Sequence, residues 1–343
     1  MNAEVPEKIA VIGAGSYGTA IAFVLATNKR ADRILLYARN KSQCDSINNE
    51  HKNPHRFSDV LLPENLSATT SVVEAVEGAT LVILTLPAQI LPSFVANHRS
   101  EFKAGIPLVS TAKGIHVESH QLMSDALAGA LAERSDEIPL CYLSGPSFAK
   151  EMMQSHPMAL ILASKTIAEA TRVQQIMSCL KFRLYTSDDV IGVELGGALK
   201  NPAAIGAGIA QGLGFGASTV AGIVTRCNKE MRELAVKMGG RPETLVGLSG
   251  IGDLMLTCFS TLSRNNRLGG MIAAGKTTAE AFEEIGEVVE GVPTADEIVR
   301  LADLHGLRMP LFRCVAAILA GKIKAIDGLK MANKEQPGEE DYV

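Results

Sequence analysis

Short apolar runs alternate with helical patterns through the first half of the chain. Residues 9–12, 33–38 (RILLYA), 80–86 (TLVILTL), 106–110 (IPLVS), 139–143 (PLCYL), 158–163 and 182–186 have the length and near-continuous hydrophobicity of strands buried on both faces. Between them, Ala20, Ile21, Val24 and Leu25 recur at helical spacing, and residues 167–180 predict another helix. Such alternation predicts an α/β fold around an open, largely parallel sheet, with ligands at the carboxyl ends of its strands. The loops opening at Gly13, Arg39, Pro87, Lys113 and Ser144 are therefore expected to converge. From Val190 to about Ile326 the apolar spacing is helical, with Gly/Pro breaks near 214, 239–242, 269–270 and 306–310. The expected organisation is a domain over 1–188, an all-helical domain over 189–332, and a mobile, charged tail over 333–343.

The first strand runs into Gly13-Ala-Gly15-Ser16-Tyr17-Gly18, a G-x-G-x-x-G followed at once by a helical pattern. In a dinucleotide-binding turn, Gly13 permits the tight bend, Gly15 lets a pyrophosphate approach the backbone, and Gly18 lets helix pack on strand. The helix beginning near Ser16 would present free N–H groups and its positive end to the phosphates. A site that prefers NAD carries an acid about 20 residues beyond the motif, bonded to the ribose 2′-hydroxyl. Here strand two ends in Arg39-Asn40-Lys41. A cation there suits a 2′-phosphate, so NADP and/or NAD is the expected cofactor, with NADP accepted and open to being the preferred one.

Composition narrows the classes. With 343 residues the chain can fill two cores, and a net charge of −4 with scattered basic residues leaves no footprint for nucleic acid. The six cysteines form no C-x-x-C and read as reduced cytosolic thiols, and the N-terminal residues do not read as a signal peptide, so a cytoplasmic location is expected. Residues 202–225 carry no charge, yet their many Gly and Ala and the GLGFG break predict a buried helix pair rather than a bilayer span. No metal is expected: His51/His55 and His116/His120 have i, i+4 spacing, but Pro54 interrupts the first pair and neither reads H-E-x-x-H.

Two constellations in the second half could carry chemistry. Lys200-Asn201 is a polar pair inside the apolar stretch GVELGGALKNPAAIGAGI; a buried ammonium must be paired or lose proton affinity, which suits proton transfer. Asn201 alone could instead end a helix before Pro202. Asp253 follows the glycine turn of GLSGIGDL and could pair with a lysine, while Arg264-Asn265-Asn266-Arg267 offers fork-shaped donors for phosphate. Glu290 sits at a candidate VVEG turn.

With these residues in view, the chain resembles the NAD(P)-dependent glycerol-3-phosphate dehydrogenases. GAGSYGTA, TAKGI, SGPSFAKE, GVELGGALKNPAAIGAGI, GLGFG, GLSGIGDLMLTC, SRNNR and VVEG occur in the family's order from about residue 8 to 310. The resemblance implies a Rossmann-type domain followed by a helical one, a homodimer, and the reversible reduction of dihydroxyacetone phosphate to sn-glycerol 3-phosphate for phospholipid synthesis. It further implies Lys200 as catalytic acid–base, Asp253 as its orienting partner, and Lys113 as a second cation near substrate and nicotinamide. Gly145, Ser147, Asn201, Thr257, Ser263, Arg264 and Asn265 fall on substrate positions. Ser16, Tyr17, Arg39, Ala149, Val288 and Glu290 fall on cofactor positions, with Arg264 approaching both ligands. Two readings compete with this one: a two-domain dehydrogenase for a hydroxy acid or sugar phosphate, and a nucleotide sensor without catalysis. Oxidation of NADPH on adding dihydroxyacetone phosphate would separate the sensor from the enzymes.

Overall fold

The computed structural model describes residues 7–332, and the expected tail over 333–343 lies outside the described residues. Two compact units partition the chain: Met1–Ala112, Met123–Leu143 and Ser147–Val190 form one, and Lys113–Leu122, Ser144–Pro146 and Ile191–Val343 the other. Two short excursions, 113–122 and 144–146, thus leave the first half of the sequence and join the helical unit.

The first unit is built on a sheet of eight strands among the described residues: β1 (Lys8–Ile12), β2 (Arg33–Tyr37), β3 (Leu66–Thr69), β4 (Leu81–Leu84), β5 (Leu108–Ser110), β8 (Leu140–Ser144), β9 (Met158–Ser164) and β10 (Phe182–Ser187). Their order is β10-β9-β8-β5-β4-β1-β2-β3. β1 runs parallel to β2 and β4, β2 to β3, β4 to β5, β5 to β8, and β9 to β10. Every predicted run lies on one of these strands. β1 is an interior strand, paired on both sides, and both its faces are apolar: Ile9, Ala10, Val11 and Ile12 are fully buried. Each such aliphatic side chain contributes about 1.5–3 kcal/mol relative to exposure, so a charge at Val11 would break the sheet's centre. Helix α1 (Ser16–Thr27) buries Ala20, Ile21, Val24 and Leu25 against the core that β1 shares with β2 and β4. Helix α2 (Lys41–Glu50) starts at Asn40, whose side chain accepts from the N–H groups of Ser42 and Gln43.

β3 is the strand the hydrophobic pattern does not announce. LSAT is too short and too polar to read alone, and its outer edge is satisfied from a helix: Asn48 on α2 donates to the Ala68 carbonyl (2.9 Å) and accepts from the Ala68 N–H (2.7 Å).

Among the described residues the second unit is helical apart from a two-stranded hairpin, β6 (Ile115–His116) and β7 (Gln121–Leu122), inside the first excursion. A 23-residue helix (Val190–Gly212) and a 21-residue helix (Ala217–Lys237) flank the GLGFG break. The uncharged segment is therefore two helix ends. The first is buried as expected up to Ala210, but in the second Ala217, Ser218, Ala221, Gly222 and Thr225 are exposed. No helix among the described residues is long and apolar enough to cross a membrane. Pro202 does not end the first of these helices, contrary to the helix-stop reading of Asn201. The helix runs through it, and the Asn201 side chain points to the site described next. Further helices at Asp253–Phe259, Arg264–Ala273, Gly291–Leu304 and Pro310–Leu319 enclose the apolar residues of both helical cores.

Candidate active site

In the helical unit, close backbone approach assembles a buried ion cluster. A Cβ on Gly196 would lie 2.4 Å from the Ser249 carbonyl oxygen, and one on Gly197 would lie 2.9 Å from Ser144 Oγ and 3.3 Å from Lys113 Cγ. Only glycines let the turn before Asp253 and the Lys113 side chain come this near to the helix Val190–Gly212. One turn further along, Lys200 Nζ donates to Asp253 Oδ1 (2.7 Å) and to Thr257 Oγ1 (2.9 Å). Lys113 Nζ donates to the other carboxylate oxygen, Oδ2 (2.7 Å), and to the Gly145 carbonyl (2.9 Å). Asp253 is 1% exposed and Lys200 7%.

Two ammonium groups thus share one buried carboxylate, leaving one positive charge in excess when both carry their protons. Burial is the largest influence on both groups, and the neighbouring charges modify it. Burial pulls the Lys200 ammonium down; Asp253 opposes that and Lys113 adds to it, and the outcome is about 8. Burial alone would raise the Asp253 carboxyl, but Lys113 and Lys200 together outweigh it and hold Asp253 below its usual range. The result is a fixed carboxylate beside an ammonium that can give up or regain a proton near neutral pH.

An amide chain extends from this cluster. Asn201 Nδ2 donates to the Lys113 carbonyl (3.0 Å), Asn265 Nδ2 donates to Asn201 Oδ1 (2.9 Å), and the Gly291 N–H donates to Asn265 Oδ1 (3.0 Å). Glu290 immediately precedes Gly291, at the start of the helix Gly291–Leu304, and Val288 is exposed two residues before it. Asn265 lies in the first turn of the helix Arg264–Ala273, capped by Ser263, whose hydroxyl accepts from the Asn266 N–H (3.2 Å). Arg264 pairs with Glu287 at 3.2 Å. Lys113, Gly145, Lys200, Asn201, Asp253, Thr257 and Asn265 therefore form one bonded network, and Ser263 and Arg264 open the adjoining helix.

The remaining predicted residues lie in the sheet unit. Gly13 has φ +116° and sits so close to α1 that a Cβ on Gly18 would fall 1.8 Å from its carbonyl oxygen. Gly13, Gly15 and Arg39, with Pro87, line a cleft of about 750 Å³ beyond the carboxyl ends of β1, β2 and β4. Ser16 opens α1, Tyr17 Oη lies 3.2 Å from Ser147 Oγ, and Ala149 begins the short helix Ala149–Met153 packed on α1. Within the sheet unit, Gly13, Arg39 and Pro87 share the cleft; within the helical unit, Lys113 and Ser144 lie against Gly197 of the helix Val190–Gly212. The cleft also takes up Arg56, which sequence reasoning passed over, and His55, which it weighed only as a metal ligand, from a loop with no periodicity to mark it.

The models of the NAD-dependent glycerol-3-phosphate dehydrogenase N-terminus and C-terminus match residues 8–170 and 189–330. The chain belongs to this family. It is 39% identical over 333 residues, 96% of either chain, to the glycerol-3-phosphate dehydrogenase NAD(P)+ of Stenotrophomonas maltophilia. The chloroplastic glycerol-3-phosphate dehydrogenase NAD(+) of Oryza sativa is also 39% identical, over 93% of this chain and 72% of that one. Among solved structures, the glycerol-3-phosphate dehydrogenase of Coxiella burnetii superposes with a TM-score of 0.88 at 32% identity, over 94% of this chain and 98% of that one. These family matches fit the glycine turn and its cleft: the bend at Gly13, the absence of a side chain at Gly15 and a start of α1 that no side chain caps are what a dinucleotide pyrophosphate requires.

Proposed function

We propose that this protein catalyses the NAD(P)H-dependent, reversible reduction of dihydroxyacetone phosphate to sn-glycerol 3-phosphate. The observation that carries the reading is the pairing of Lys200 and Lys113 on the one buried carboxylate of Asp253. When bound, the nicotinamide supplies the two electrons as hydride at carbon 2 of the substrate. The chain supplies the rest. Lys200 Nζ holds the proton that neutralises the forming alkoxide oxygen, and in the reverse direction it takes the hydroxyl proton. Asp253 and Thr257 fix the direction of the ammonium, and the uncompensated charge of the lysine pair favours the negative charge that develops on oxygen. Asn201 and Asn265, already bonded to each other, present a fixed amide edge beside Lys113. The first turn of the helix Arg264–Ala273, with the Ser263 hydroxyl and the Arg264 guanidinium, suits the substrate phosphate. Gripping the phosphate lets binding energy remote from carbon 2 position the carbonyl.

Gly13, Gly15, Ser16, Tyr17, Gly18, Arg39, Ala149, Val288 and Glu290 belong to cofactor binding in this reading, as do Lys113 and Arg264; Gly145 and Ser147 belong to substrate binding. Residues 1–188 then serve as the cofactor domain and 189–332 as the catalytic domain of a cytoplasmic homodimer that feeds glycerophospholipid synthesis. Six free cysteines accord with a reducing compartment. The direct test is steady-state reduction of dihydroxyacetone phosphate with NADPH and with NADH in parallel. Turnover with either supports the reading, whereas turnover with neither, in folded protein, rejects it.

A further inference from the structure

Residues 51–57 (HKNPHRF) form the loop that brings His55 and Arg56 to the cleft. The segment turns sharply at both ends, with left-handed backbone at His51 (φ +51°) and Phe57 (φ +58°). Between them Asn53 is completely buried and bonded into the back of the glycine turn. Its Nδ2 donates to Thr19 Oγ1 on α1 (2.7 Å) and to the Ala14 carbonyl (3.3 Å), and Gln43 Nε2 bridges the Ala14 carbonyl (3.0 Å) and Asn53 Oδ1 (2.9 Å). Asn53 also organises its own loop: Oδ1 accepts from the His55 N–H (3.2 Å) and the main-chain carbonyl from the Arg56 N–H (3.1 Å). Ala14 is the middle residue of Gly13-Ala14-Gly15. The same buried amides therefore orient the peptide between the two glycines and hold Arg56 in place.

The cleft lined by Gly13 and Gly15 is also lined by Arg39, His55 and Arg56, and among the described residues no carboxylate contributes to its lining. Asn40, which follows Arg39, has its side-chain oxygen committed to capping α2 and cannot serve as acceptor for a ribose hydroxyl without breaking that cap. Arg56 Nη1 rests on the His55 carbonyl at 3.0 Å, which leaves its remaining donors for a ligand. We infer that Arg56, presented by the Asn53-anchored loop, is a second guanidinium for a ribose 2′-phosphate. It would thus help set the preference of the cleft for phosphorylated over unphosphorylated dinucleotides. The inference rests on the cofactor reading above and deepens it: two forks can engage a dianionic phosphate, whereas neither can accept from a 2′-hydroxyl.

The test uses the unliganded full-length protein and two small probes, 2′,5′-ADP and 5′-AMP, titrated by calorimetry. Wild type is expected to bind 2′,5′-ADP at least about tenfold more tightly than 5′-AMP, as one good charge-assisted contact implies. In Arg56→Gln that preference should fall about tenfold through weaker 2′,5′-ADP binding. Arg56→Lys, which keeps the charge but not the fork, should fall between. Unchanged 2′,5′-ADP affinity in Arg56→Gln overturns the inference, as does equal binding of the two probes by wild type. If wild type binds neither probe, the cofactor reading itself fails, and that outcome is distinct because it appears before any substitution is made.

Discussion

Asp253→Asn tests the logic of the ion cluster most sharply, because it preserves shape and removes only the charge. Lys200 titrates at about 8 while burial pulls it down and Asp253 holds it up. At an effective dielectric of about 20, an ion pair roughly 4 Å apart is worth about 4 kcal/mol, or about 3 pKa units. The two ammoniums can move apart and admit water once the carboxylate is gone, so a net fall of about 1–2 units is the expected size. The sign follows from the role. Ketone reduction needs Lys200 protonated, so in wild type kcat should decline as pH rises through about 8, and alcohol oxidation should rise through the same region. In Asp253→Asn the decline should move to about pH 6–7, so that at pH 7.5 the protonated fraction, and with it reduction, falls by about tenfold. The assay is the pH profile of kcat in both directions, with thermal melting to verify folding. A profile that keeps its limb near 8 while losing amplitude would refute the reasoning, since Asp253 would then act without setting the Lys200 titration.

Other consequences are open to measurement. Glu230 is buried, accepts from the N–H groups of Leu311 and Phe312, and burial pushes its carboxyl up to about 7. Its stabilising contribution is therefore complete below about pH 4.5 and lost as pH rises through about 7, so Glu230→Gln should gain stability relative to wild type in urea unfolding at pH 8 but not at pH 4.5. A difference independent of pH would exclude this. Gly196→Ala drives a Cβ into the Ser249 carbonyl and should lower kcat by separating Lys200 from Asp253, at a cost in stability that the melting temperature will register. Arg264→Gln should raise the KM for dihydroxyacetone phosphate by tenfold or more; an unchanged KM would place the phosphate elsewhere.

How much of this is legible in the sequence depends on whether the signal is local. The buried strands are continuous apolar runs and were readable for that reason, as was the glycine turn, which needs three residues at fixed spacing. The helix break at GLGFG announces itself because flexible residues cluster there. β3 does not, since its outer edge is satisfied by Asn48 from a helix rather than by its own pattern. That the first excursion joins the helical core was also hidden: TAKGI follows a predicted strand, yet Ile115 and Leu122 pack among the helices. Lys200 and Asp253 could be singled out as a charge in an apolar helix and a carboxylate after a turn. That Lys113 would take the second carboxylate oxygen depends on a close approach at Gly197, which spacing alone cannot express. Asn53 and Arg56 sit in a polar loop whose importance lies wholly in tertiary bonds to Ala14 and Thr19.

The most direct test of the central claim, that Lys200 holds the transferred proton, is the turnover of Lys200→Met with dihydroxyacetone phosphate at saturating NADPH. Loss of a positioned acid lowers kcat by about 10²–10⁴. The variant should show that fall while melting no lower than wild type, because it removes a buried ammonium whose titration is depressed to about 8 and leaves Lys113 paired with Asp253. Turnover within a few fold of wild type would contradict the account and move the acid–base role away from Lys200.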